Sequence, residues 1–258
     1  MTNTVYINGR AIGPQHPPYI IAELSANHNG SLANALHSLE VFKSCGADAV
    51  KIQSYTADTM TIDCDRPEFK IQGGLWDGYT LYELYKEAHT PFEWHQALFD
   101  KAAELGLTLF SSPFDETAVD LLESLNTPAY KIASFEAIDL PLIARVAQTG
   151  KPIIISTGMA NLEEITEAVN TAREHGATQL ILLHCISAYP APVEQANLLN
   201  IADLAKRFDC ISGLSDHSMG TLLPVAATVL GASVIEKHVI LERSMGGPDS
   251  AFLLNRMS

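Results

Sequence analysis

Eight short apolar runs, most of them separated by segments of helical periodicity, leave this sequence few folds to adopt. The runs are Tyr19-Ile-Ile-Ala-Glu23, Asp48-Ala-Val-Lys-Ile-Gln53, Leu107-Thr-Leu-Phe-Ser111, Ala129-Tyr-Lys-Ile132, Pro152-Ile-Ile-Ile-Ser156, Gln179-Leu-Ile-Leu-Leu-His184, Phe208-Asp-Cys-Ile-Ser212 and Ala232-Ser-Val-Ile-Glu236. Short apolar runs bounded by turn residues read as buried strands, and helices between them make successive strands parallel. Helical signals follow most runs: 32–45 with Gly46 past its end, 81–88, 91–105 opened by Pro91, 116–125, 141–149, a cap-then-acid start at Asn161-Leu-Glu-Glu164, and 221–230. Eight such units predict a (β/α)8 TIM barrel of the α/β class. An open doubly wound sheet would carry Gly-x-Gly-x-x-Gly after its first strand, and none is there.

Ahead of the barrel, residues 1–18 read as a small β-hairpin turning at Asn8-Gly9, then a proline-rich lead-in. Residues 19–258 form the barrel domain, with a long insertion between Ser54 and Thr90. After the eighth strand only Val239 to Ser258 remains, so the sequence predicts a barrel truncated before its last helix.

With 47% hydrophobic and 18% charged residues in 258, the chain can bury a large core. A formal charge of -14 argues against nucleic acid and anionic membrane as partners, while a local site can still bind an anionic metabolite. No signal peptide and no run of 18 apolar residues is evident. Cys45, Cys64, Cys185 and Cys210 show no CxxC spacing and are expected to be reduced core thiols of a cytoplasmic protein.

A barrel carries its chemistry at the C-terminal ends of its strands. Those ends hold Glu23, Lys51 with Gln53, Ser111 with Ser112, Lys131 with Ser134 and Glu136, Ser156 with Thr157, His184 with Ser187, Ser215 with His217, and Glu236 with His238. His217 and His238 end consecutive units and can converge as a pair of imidazole metal ligands; each read alone is simply a hydrogen-bonded strand end. Lys51 and Lys131 lie within apolar strands, where an unpartnered ammonium costs several kcal/mol. With the serines they suggest an anion cradle, although any one serine also suits a turn. The same lysines would serve a Schiff-base aldolase. Glu23 and Glu136 fit general bases or partners that neutralise the lysines.

These motifs resemble the sialic acid synthase family over residues 17 to about 252. The likeness rests on Ile20-Ile-Ala-Glu-Leu-Ser-Ala-Asn-His-Asn-Gly30, Val50-Lys-Ile-Gln53, Phe110-Ser-Ser-Pro-Phe114, Tyr130-Lys-Ile-Ala-Ser134, Ile155-Ser-Thr-Gly-Met159, Leu183-His-Cys185, Gly213-Leu-Ser-Asp-His217 and Glu236-Lys-His238. Leu75-Trp-Asp-Gly-Tyr-Thr-Leu-Tyr-Glu-Leu84 and Gly246-Gly-Pro-Asp-Ser-Ala-Phe252 look like the pseudaminic branch. The resemblance implies a transferase that condenses phosphoenolpyruvate with an open-chain acetamido sugar, using Mn2+ or Mg2+, to give a nine-carbon 2-keto acid and phosphate. In the pseudaminic branch the sugar is 2,4-diacetamido-2,4,6-trideoxy-L-altrose. N-acetylneuraminate synthesis, legionaminate synthesis and a non-catalytic barrel that keeps ligand binding are the alternatives.

Position by position, the likeness makes His217 and His238 the metal ligands. Lys51, Ser112, Lys131, Ser134, Ser156 and Ser215 become phosphoenolpyruvate contacts, and Gln53, Glu136, Tyr189 and Asp249 sugar contacts. Glu23 handles a proton or water, which makes Glu23, Lys131, His217 and His238 the catalytic set. Ser187 stands where sialic acid synthases commonly carry Asn. The likeness stops after Phe252, so the family's C-terminal antifreeze-like domain, which reaches over the partner barrel of a homodimer, is expected to be missing. An apolar seam is then expected against the first and seventh helices.

Overall fold

The Asn8-Gly9 hairpin forms first in the chain. In the computed structural model, which describes residues 4–73 and 77–241, β1 (Val5–Ile7) and β2 (Arg10–Ile12) pair antiparallel. Asn8 and Gly9 both have positive φ, 49° and 78°, as a tight two-residue turn requires. Val5, Ile7 and Ile12 then close the N-terminal end of the barrel.

The barrel strands are β3 (Tyr19–Glu23), β4 (Ala49–Ser54), β5 (Thr108–Pro113), β6 (Tyr130–Ile132), β7 (Ile153–Ser156), β8 (Leu180–Cys185), β9 (Ile211–Asp216) and β10 (Val234–His238). All pairings between them are parallel, and β10 joins β3 to close the ring. Helix α1 (Leu32–Ser44) follows β3; α2 (Ala57–Met60) and α3 (Leu81–Ala88) belong to the insertion before α4 (His95–Glu104). Then come α5 (Glu116–Ser124), α6 (Leu140–Ala147), α7 (Leu162–Glu174), α8 (Leu199–Phe208) and α9 (Leu222–Val229).

Local chemistry accounts for the helix starts. Asn161 and Glu164 form a reciprocal capping box at α7, Thr80 and Glu83 do the same at α3, and the Asp115 carboxylate accepts from two backbone N–H groups at α5. Two readings of the sequence are corrected. The run at Phe208 is not a strand start: Ile201, Leu204 and Phe208 form the buried stripe of α8, Asp209 ends it in a left-handed conformation, and the strand begins at Ile211. Cys45 is exposed at the C-cap of α1 and Cys64 is half-buried, so only Cys185 and Cys210 are core thiols.

The outward faces of the strands pack on the helices, as where Val50, Ile52 and Leu109 meet Leu39, Phe42 and Leu98. A groove of about 440 Å³ over β3 and β10, between α1 and α9, is lined by Val41, Phe42, Pro224, Ile235 and Ile240. Leu222, Val225 and Val229 of α9 are exposed. No helix among the described residues is long and apolar enough to cross a membrane. Asp249 and the segment after β10 where the last helix was expected to be missing lie outside the described residues.

Candidate active site

Along each barrel strand the inward face changes from apolar to polar toward the C-terminal end. The apolar layer is Ile21, Ala49, Phe110, Ala129, Ile154, Ile181, Ile211 and Val234, packed with the hairpin residues. One pleat repeat further on, the same faces carry Glu23, Lys51, Ser112, Lys131, Ser156 and Glu236, because side chains two residues apart share a face. Ser215 and Cys185 continue β9 and β8 in the same way. The hairpin therefore covers one end, and the charged layer of Glu23, Lys51, Lys131 and Glu236 lies at the opposite end.

The centre of that layer is a buried charge cluster. Lys51 Nζ lies 2.6 Å from the Glu23 carboxylate and 3.7 Å from Glu236, and Lys131 Nζ lies 3.7 Å from the other oxygen of Glu236. Lys131 also donates to Ser156 Oγ at 2.6 Å and to the Ile132 carbonyl at 3.1 Å; Lys51 donates to Ser112 Oγ at 3.3 Å. Ser215 donates to Glu236 at 3.0 Å and Gln53 to Glu23 at 3.2 Å.

The two lysines titrate in opposite directions. Burial pushes both down, but Glu23 and Glu236 hold Lys51 above its ordinary value. For Lys131 burial wins: Glu236 is its main opposing charge, Lys51 repels it, and it stays below its ordinary value. Burial would raise Glu236; the two ammonium groups instead hold it down at about 2. Two cations thus share a pocket floor with carboxylates that hold them in place, an arrangement suited to a compact polyanion entering from the open end.

His217 and His238 stand at the rim with ring centroids 5.2 Å apart. His217 donates from Nδ1 to the Ile186 carbonyl at 2.9 Å, which leaves the Nε2 lone pair for a ligand. This is the outer hydrogen bond that a metal-binding imidazole makes. Among the described residues no group of three or more His, Cys, Asp or Glu side chains is arranged to enclose a metal. The two imidazoles alone are a donor set that would suit a divalent cation whose other positions go to substrate oxygens and water. The Tyr189 ring lies tilted by 36° against His217, with centroids 4.3 Å apart, and is half exposed at the mouth.

The model of the NeuB family matches residues 38–258 of this chain. The chain belongs to that family. It is 52% identical over 239 residues to the pseudaminic acid synthase of Helicobacter pylori, covering 93% of this chain and 70% of that protein. To the pseudaminic acid synthase of Campylobacter jejuni it is 48% identical over 237 residues, 92% of this chain and 69% of that protein. Among solved structures, the N-acetylneuraminic acid synthetase of Leptospira borgpetersenii in complex with citrate superposes with a TM-score of 0.89 at 29% identity, covering 99% of this chain and 84% of that chain.

Within this NeuB-family barrel, Glu23, Lys51, Gln53, Ser112, Lys131, Ser156 and Ser215 gather around the pocket floor, and His217, His238 and Tyr189 at its rim. Ser134 sits on the loop after β6, where its hydroxyl accepts the Gly158 N–H at 3.2 Å. Gly158 has no room for a Cβ, which would stand 2.7 Å from Ser187 Oγ, so these loops meet closely. Glu136 is half-buried with Oε2 unpartnered among the described residues, and burial raises its carboxyl against the pull of Lys131.

Ser111 and His184 belong to the outer face. Ser111 bonds Ser54, and His184 bonds the Ala196 carbonyl at 2.7 Å. Pleat parity separates them from their inward neighbours Ser112 and Cys185. Reasoning from the sequence assigned no role to Glu236, which joins both lysines; its place two residues before His238 on one strand face was the available signal.

Proposed function

We propose that this chain is the catalytic barrel of a synthase that condenses phosphoenolpyruvate with an open-chain acetamido sugar: C3 bonds to the aldehyde carbon, one water is consumed at C2, and phosphate leaves with a nine-carbon 2-keto acid as product. The observation that carries the reading is the pairing of a buried two-lysine floor with a two-imidazole rim in one barrel mouth. The share of identity with the two pseudaminic acid synthases favours 2,4-diacetamido-2,4,6-trideoxy-L-altrose as the sugar and pseudaminic acid as the product.

Lys51 and Lys131 neutralise the phosphate and carboxylate of phosphoenolpyruvate, while the hydroxyls of Ser112, Ser134, Ser156 and Ser215 supply directional donors. Glu236 surrenders part of its hold on the lysines as the anion arrives, so its charge is a placeholder for the substrate's. His217 and His238 would hold Mn2+ or Mg2+, which supplies Lewis-acid polarisation of an aldehyde oxygen. Tyr189 at the rim, Gln53 beside Glu23 on the floor and Glu136 after β6 are the groups this reading assigns to the sugar, whose aldehyde carbon must meet C3 of phosphoenolpyruvate. Glu136 is the carboxyl best suited to carry a proton, because its raised affinity brings it nearer neutrality, whereas Glu23 is committed to Lys51. An enzyme that uses phosphoenolpyruvate would work in the cytoplasm, where that metabolite is made.

The test is product identification. With phosphoenolpyruvate and Mn2+, the chain is offered N-acetylmannosamine or the diacetamido trideoxy sugar of the pseudaminic or the legionaminic type, and the products are weighed by mass spectrometry. A nine-carbon keto acid from the altrose sugar alone supports the reading; a product from another sugar reassigns the substrate. Borohydride treatment with substrate that traps an adduct on Lys131 would replace it with Schiff-base chemistry.

A further inference from the structure

The last registered pair of the β9–β10 ladder is Asp216 and Lys237, directly opposite each other, and the next residues along the two strands are His217 and His238. The backbone register therefore stops one residue short of the imidazole pair. On the outer face of the barrel, behind the rim, Lys237 Nζ meets Asp216 Oδ2 at 2.5 Å and donates to the Ser218 carbonyl at 2.6 Å. Asp216 Oδ1 accepts the Ser218 N–H at 2.9 Å. Both side chains are buried, at 3% and 6% exposure.

A buried ion pair adds little stability beyond what well-packed apolar residues would give in its place, because desolvating two charges offsets their attraction. Its hydrogen bonds here have one address: the residues on either side of His217. Asp216 and Ser218 are tied to Lys237, and Lys237 is covalently next to His238. The pair thus fastens the two strand ends together where the ladder has run out.

We propose that Asp216 and Lys237 form a positioning pair that fixes the separation and aim of His217 and His238. The inference rests on the reading of those histidines as metal ligands. Asp216 and Lys237 would not touch the metal; they act through the backbone of the loop after β9. Interactions of this outer kind typically change metal affinity by about 10–100-fold when removed.

Mn2+ affinity by calorimetric titration, with thermal melting of the same samples, tests this on the wild type, His217→Ala, Lys237→Met, Asp216→Asn/Lys237→Met and Lys237→Arg. The double variant removes both charges and keeps an acceptor for the Ser218 N–H, so it avoids an unpaired buried carboxylate. Expected results are Mn2+ binding in the wild type, its loss in His217→Ala, and weakening of about 10–100-fold in the double variant with its cooperative melt retained. Lys237→Arg should recover most of the affinity. A folded double variant that binds Mn2+ as tightly as the wild type overturns the inference and leaves the metal reading standing. Failure of the wild type to bind removes the metal reading and this inference with it. Loss of cooperative melting in every Lys237 variant, Arg included, assigns the pair to folding and overturns its positioning role.

Discussion

Glu23 and Lys51 are register partners in adjacent strands, and their side chains meet at 2.6 Å inside the barrel, both almost wholly buried. Their losses should be unequal. Removing Lys51 leaves Glu23 and Glu236 facing only Lys131, and breaking a buried pair in this way costs about 3–5 kcal/mol. Removing Glu23 leaves Lys51 with Glu236 at 3.7 Å and the Ser112 hydroxyl. Urea unfolding should therefore show Lys51→Met distinctly less stable than Glu23→Gln. Equal losses would mean that Glu236 does not bridge the lysines in solution.

The fully buried His28 should make stability pH-dependent below neutrality. Burial, with a smaller push from His89, lowers its imidazole to about 4, and its Nδ1 accepts the Gly30 N–H, which requires the unprotonated nitrogen. The unfolded ring takes a proton near its ordinary value of about 6.5. Between those two values the unfolded chain binds more protons, so this stabilisation is complete above 6.5 and is lost as pH falls toward 4. Its full size is on the order of 3 kcal/mol. Unfolding of His28→Gln followed across pH 4–7 should show a shallower slope than wild type; parallel curves would contradict the assignment.

Gly213 is the point at which β9 and β10 touch backbone to backbone. A Cβ there would stand 2.2 Å from the Val234 carbonyl oxygen and 2.9 Å from Leu183. Gly213→Ala should cost at least about 1–3 kcal/mol, and if His217 holds a metal as proposed, the displaced strand end should weaken Mn2+ binding four residues further on. A variant of wild-type melting temperature would show that the strands can part at no cost.

Glu136→Gln keeps the shape of the side chain and removes its proton. If Glu136 carries a proton in the reaction, kcat should fall by about 10²–10⁴-fold while the KM for phosphoenolpyruvate and the melting temperature stay near wild type. A change confined to the KM for the sugar would make Glu136 a sugar contact instead.

The architecture was legible in the sequence because both periods were present: short β-branched runs such as Ile153-Ile-Ile-Ser156, and helical stripes with caps such as Asn161 with Glu164. Inspection of strand ends found the lysines and the imidazole pair. It could not separate Ser111 from Ser112, or His184 from Cys185, because a one-residue choice of register reverses which side chain faces the barrel interior. Helix α8 was hidden because its first residue follows Leu198, which offers no side-chain cap. Glu236 and the Asp216–Lys237 pair were hidden for a different reason: a charged residue in an apolar strand announces a partner without naming it, and only the closed ring, which sets β10 beside β3, brings Glu236 within reach of Lys51.

The proposed function has the lysine floor and the imidazole rim act together on phosphoenolpyruvate and a sugar aldehyde. It is tested most directly by phosphate release from phosphoenolpyruvate with Mn2+ and the diacetamido trideoxy altrose, in the wild type and in His217→Ala. Sugar-dependent release is expected in the wild type and its loss in the variant, with both proteins folded. Release at the same rate without the histidine, or release without any sugar, would contradict it.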